Sequence, residues 1–182
     1  MTTLTLKITL ADTDPEIWRR VAVPGDFSLA DLHELIQDSF GWERSHLWVF
    51  NAADGAHGLP DPELGHEDAR AKRVGDVLRN PGDKLNYLYD FGDDWLHEVT
   101  LEAIEPGTGP PRCLDGRRAG PPEDCGGVGG YEELLDTLAD PSHEDHEETL
   151  DWLGLETAGE FDPAAFDLAA VNRTLAGRFR SE

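Results

Sequence analysis

The residues able to do chemistry gather in two stretches. Asp90, Asp93 and His97 fall within YLYDFGDDWLHEV, and Cys113, Glu123, Asp124 and Cys125 fall in the Gly- and Pro-rich segment that follows. Thiolate, imidazole and carboxylate are the usual zinc donors, so a folded-back loop could bring Cys113 and Cys125 to His97 and an acid such as Glu123 or Asp124. A divalent metal such as zinc is then the candidate cofactor. A bound water with its pKa lowered toward neutrality would make metal-dependent hydrolysis the candidate reaction. The bland alternatives carry equal chemical sense. Aspartates are favoured in turns because they hydrogen-bond to backbone, His97 can be a satisfied core histidine, and two cysteines without C-x-x-C pairing can be buried thiols or a disulfide. No complete nucleophile, base and oxyanion set is legible, so the catalytic residues are unassigned.

Those acids need a hairpin to present them. With a three-residue turn at 92–94, Phe91 faces Trp95, Tyr89 faces His97 and Tyr87 faces Val99. One face is then an aromatic stripe, with Tyr89 and Trp95 as core or ligand-contact residues, while Asp90 and Glu98 point to the other. Arg19 and Arg20 are adjacent in a strand and therefore go to opposite faces. One is expected to pair with Asp90 or Glu98, with anion binding as the alternative use. GGVGGY before a helix offers backbone N–H groups to an anion, yet it lacks the Lys-Ser/Thr of a P-loop and is surrounded by acids. His33, His46, His143 and His146 read as structural or solvated rather than as ligands.

The remaining elements follow from periodicity. Leu4, Leu6, Ile8 and Leu10, then Ile17, Arg19, Val21 and Val23, alternate as a hairpin of strands. Ser28 with Asp31 three residues on caps a helix carrying Leu29, Leu32, Leu35, Ile36 and Phe40, closed by Gly41. A strand at 45–50, a polar loop at 51–72, a helical turn at VGDVL and strands at 85–91 and 95–104 complete residues 1–104. This order predicts an α+β, β-grasp-like (ubiquitin-like) mixed sheet around one helix, with residues 85–91 parallel to the first strand. Residues 105–130 are expected to be a Gly/Pro-rich loop and 131–182 a helical extension of the same domain, so 1–182 forms one domain. The helices there are expected to begin near Tyr131, at Ser142 and at Asp162-Pro163.

Composition narrows the function classes. Fifteen Lys and Arg against 38 Asp and Glu give a formal net charge of −23, which repels phosphate backbones and makes nucleic acid an unlikely partner. No apolar run is long enough to span a bilayer and the start lacks a signal-peptide pattern, so a cytoplasmic protein is expected, with no membrane partner. Two cysteines suit a reducing compartment.

Five spaced motifs carry a resemblance over roughly residues 4–175: PEIWRRVAVP, LADLHELIQDSFGW, YLYDFGDDWLHEV, PPEDCGG with GYEELL, and FDPAAFDLAAVN. Together they resemble the plasmid pRiA4b ORF-3-like family. The resemblance implies a protein of a plasmid- or mobile-element-associated, uncharacterised family, one relative of which is labelled a resolvase. Two positions depart from the family's pattern: Gly120 stands where a cysteine is common, and Trp48 where a histidine is. The leading expectation is a non-enzymatic module that binds a partner protein. The metal-binding reading comes second, and a recombination accessory role third, disfavoured by the charge.

Overall fold

The computed structural model describes residues 1–180. Strand β1 (Thr2–Leu10) buries Leu4, Leu6, Ile8 and Leu10 on one face and pairs antiparallel with β2 (Ile17–Pro24). Helix α1 (Leu29–Phe40) starts at the expected capping box, Ser28 with Asp31, and ends at Gly41 in the left-handed region. Such a box stabilises a helix by about 1 kcal/mol. Leu29, Leu32, Leu35, Ile36 and Phe40 of α1 join the strands' buried side chains in one core.

After α1 come β3 (Trp48–Ala52), β4 (Gly55–Gly58), β5 (His66–Asp68), the short α2 (Val74–Val77), β6 (Lys84–Tyr89), β7 (Trp95–Pro106) and β8 (Arg112–Arg117). The eight strands form one mixed sheet in the order β5-β4-β3-β6-β7-β1-β2-β8, in which only β4 and β5 pair in parallel. The expected parallel pairing of residues 85–91 with the first strand does not occur. β7 lies between them, antiparallel to both β6 and β1. A tight turn at 90–94 returns the chain directly beside β6, so β7 takes the neighbouring position before any crossover can.

Two further corrections concern loops. The segment 105–130 is not loop throughout: it contains β8, paired with β2 at the sheet edge, and the first turn of α3 (Gly127–Ala139). Gly116 and the exposed positions of β8 hide its alternation, because an edge strand buries little. The polar segment 51–72 likewise contains β4 and β5. α4 (His146–Leu153) begins at His146 rather than at Ser142, and α5 (Leu168–Arg178) is capped by Asp167 rather than starting at Asp162. Asn172 of α5 accepts from the Cys113 N–H and donates to its carbonyl, both at 2.9 Å, and so satisfies part of the free edge of β8. Among the described residues no helix is long and apolar enough to cross a membrane.

Candidate metal centre at the hairpin turn

The register of β6 and β7 sets the site. Tyr89 pairs with Trp95 and Tyr87 with His97, so the connection runs from 90 to 94, two residues longer than the expected turn. The aromatic stripe is core as expected. Tyr87, Tyr89, Trp95 and His97 are all fully buried, whereas Phe91 is left outside. Lengthening the turn moves Asp90 out of the strand. It is 7 % exposed and sits in the left-handed region with φ 58°. Its Oδ1 accepts from the N–H groups of Gly92 at 2.9 Å and Asp93 at 3.3 Å, which aims Oδ2 at the Nε2 of His46, 3.5 Å away.

Residues 118–126 fold back onto this turn. Asp93 Oδ2 accepts from the Gly126 N–H at 3.0 Å, and Gly127, φ 71°, lies against the Asp93 carbonyl where a Cβ would collide. Trp42 donates its indole N–H to the Pro121 carbonyl at 2.9 Å. Glu123 Oε1 accepts from the Glu43 N–H at 2.7 Å and from the Tyr89 hydroxyl at 2.9 Å. Burial and the adjacent Glu123 carboxylate push the Tyr89 phenol up, so it remains a donor. These bonds carry Asp124, φ 57°, to the imidazole, with Oδ1 at 2.8 Å from His46 Nε2, and leave Glu123 Oε2 at 3.8 Å.

His46 Nε2 is shut off from solvent, yet among the described residues it has no hydrogen bond of acceptable geometry. Its contact with Asp124 is close but misdirected. One donor atom each from His46, Asp90 and Asp124 lie within 4.8 Å of one another, a constellation that a cation can bridge. Asp124 is 64 % exposed in its side chain, so the site opens to water on that side. Asp90 and Asp124 both hold positive φ, and Asp94 between them does so too. Clustering of sparsely populated backbone is common at sites with a task.

The sequence's candidate set is thus divided. Asp90 and Asp124 meet, and Glu123 stands beside them. Asp93 spends its carboxylate on the Gly126 amide. His97 points into the core, where its Nδ1 meets the Trp95 carbonyl at 3.0 Å and burial holds its pKa down at about 3. Cys113 lies on β8, four strands from β6 in the sheet order, on the order of 19 Å at ordinary strand spacing. It cannot share an ion with this turn. Cys125 is close to Asp93, Asp124 and Glu123 but outside the bridging group, and both cysteines are free thiols, so no disulfide links them. Burial, aided in the case of Cys125 by Asp93, raises the thiols to about 11 for Cys113 and about 12 for Cys125.

The arginines also differ from expectation. Arg20 pairs with Glu102 at 2.6 Å, and Glu98 pairs with Lys84. Among the described residues Arg19 has no acid partner; it donates to the carbonyls of Ser39, Trp18 and Arg117 and lies between the rings of Phe40 and Phe166. His46 is the candidate ligand that sequence reasoning passed over. The signal is tertiary: β3 pairs with β6 so that Trp48 faces Tyr89, and the Asp90 N–H then bonds to Leu47 O, one residue from His46.

The profile described as Plasmid pRiA4b ORF-3-like protein matches residues 2–170. The chain belongs to that family. Similar to this pRiA4b ORF-3-like protein is the uncharacterized protein y4hQ of Sinorhizobium fredii, 42 % identical over 175 residues that cover 93 % of this chain and 89 % of the relative. A crystal structure of MM3350 from Methanosarcina mazei, a protein of unknown function, is similar with a TM-score of 0.81 and 37 % identity, covering 92 % of this chain and 96 % of that one. The descriptions of these relatives attach no reaction to the family.

Proposed function

We propose that this protein is a divalent-cation-binding module, with His46, Asp90 and Asp124 as ligands and Glu123 as a further carboxylate within reach. The observation that carries the reading is the buried, unpartnered His46 Nε2 facing three carboxylates. One imidazole and two or three carboxylate oxygens suit zinc, manganese or ferrous iron. A bound cation would neutralise acids crowded in an already acidic chain and pin residues 118–126 to the hairpin turn. We assign it a binding role rather than chemistry on thiols, because both cysteines are held protonated. The two free thiols also support work in a reducing compartment.

On architecture, we read residues 1–104 as a β-grasp derivative into which β7 is inserted between β1 and β6. The strand-strand-helix-strand order supports this. Packing of α5 against α1 and β8 supports a single domain.

Metal content of untagged protein, followed by manganese and zinc titration, tests the centre. About one equivalent is expected. At a free metal concentration of 100 times Kd the gain is about 2.7 kcal/mol, or roughly 5–10 °C in Tm for a domain of this size. His46→Ala and Asp124→Asn should lose both the metal and the Tm gain, while Glu63→Gln should keep them. Wild type that takes up no metal, or variants that take up as much, would sink the proposal.

A further inference from the structure

A groove of about 400 Å³ runs between α3 and α4. Its walls follow from helical spacing: Glu133 and Thr137 lie one turn apart on α3, and Glu148 and Trp152 one turn apart on α4, so the two pairs confront each other. Leu134 contributes to the floor. Asp124 stands at one end, and no lysine, arginine or histidine lines any part of it.

Two further features mark the groove as more than an acidic patch. Trp152 is 53 % exposed and lines the groove together with Leu134. Thr137, 8 % exposed, is among the residues that line the groove and makes no side-chain hydrogen bond among the described residues, while its carbonyl accepts from His146 at 2.8 Å. A threonine hydroxyl that bonds to no protein group keeps its acceptor capacity for an occupant. An exposed indole flanked by carboxylates is the surface that a guanidinium satisfies, since it can stack on the ring while donating in its plane.

We propose that this groove docks an arginine-bearing segment of a partner protein. The arginine stem lies over Leu134, its head stacks on Trp152, and it donates to Glu133, Glu148 and the Thr137 hydroxyl. The occupant is set by charge complementarity and by the planar face that Trp152 offers, and it does not depend on metal at His46.

The test is fluorescence anisotropy with a fluorescein-labelled triarginine peptide at 150 mM salt, where the general field of the acidic chain is screened beyond roughly 8 Å. Glu133→Gln with Glu148→Gln, and separately Trp152→Ala, should each weaken binding about three- to fivefold, the size of lost exposed ion pairs or a cation–π contact. Glu63→Gln with Glu67→Gln removes the same charge elsewhere and should change Kd less than twofold. Because Asp124 is shared, the assay is run in chelator, where His46→Ala should also leave peptide binding within twofold, so the metal proposal and this one fail separately. Thermal melts certify each fold, and Thr137→Val reads the floor should Trp152→Ala unfold. Equal losses from the control pair, no loss from the groove variants, or trilysine and spermidine binding as tightly as triarginine would each overturn the assignment.

Discussion

Replacing His97 with Phe should make the protein more resistant to acid relative to wild type. His97 is fully buried against Phe40, Trp42 and Tyr87. Burial depresses its pKa from the ordinary 6.5 to about 3; the Trp95 carbonyl opposes that fall and Arg19 adds to it. Below pH 6.5 the unfolded chain therefore takes up a proton that the folded chain refuses until about pH 3. The stability due to a neutral His97 is complete above pH 6.5 and drains away as pH falls through that window. At about pH 4.5, two units into it, the loss is on the order of 3 kcal/mol, from somewhat over 1 kcal/mol per unit. Phe fills the same aromatic niche without titrating. His33 and the carboxylates titrate in both proteins and cancel in the comparison. Urea unfolding followed by tryptophan fluorescence at pH 7.5 and 4.5 measures the difference: the variant should gain on the order of 3 kcal/mol on wild type between the two conditions. Parallel loss of stability in both proteins would refute the reasoning, because it would mean that His97 is not held neutral.

Three other perturbations test the loop, the edge and the thiols. Asn172→Ala removes two hydrogen bonds to the Cys113 backbone and should cost about 2 kcal/mol in urea unfolding, while an unchanged midpoint would show that α5 does not guard β8. Gly127→Ala sets a side chain at φ 71° against the Asp93 carbonyl and should cost about 2 kcal/mol together with a weaker metal response; equal stability would mean that the loop is not clamped there. Native protein at pH 8 should react with a disulfide reagent only slowly, since Cys113 at about 11 is ionised in about one molecule in a thousand, and rapidly once unfolded. Fast native reaction would contradict thiols shielded by burial.

Several parts of the site were legible before any coordinates. Turn composition marked Asp93 and Asp94, and Asp94 adopts the left-handed backbone that aspartate tolerates better than most residues; Asp90 and Asp124 do so as well, without a turn signal in the sequence. Pairing parity placed Tyr87, Tyr89, Trp95 and His97 on one buried face even though the register was displaced by two residues, because a shift by an even number preserves the face. The same displacement hid the role of Asp90, which the shorter turn assigned to the opposite face of a strand. Arg19 was equally illegible: a buried arginine satisfied by carbonyls and two rings leaves no complementary acid in the sequence to find.

What the sequence by itself determined is local. Alternating Leu4, Leu6, Ile8 and Leu10 dictate a strand with one buried face, and Ser28 with Asp31 and Gly41 bound a helix whose apolar stripe must find a sheet. These follow from side-chain geometry within a few residues. Only tertiary structure decided that β7 separates β6 from β1, that β8 completes the edge, and that residues 118–126 close on the hairpin so that His46 meets Asp90 and Asp124. Strand order and loop closure depend on which distant faces bury each other best, and that competition leaves no periodic mark on the chain.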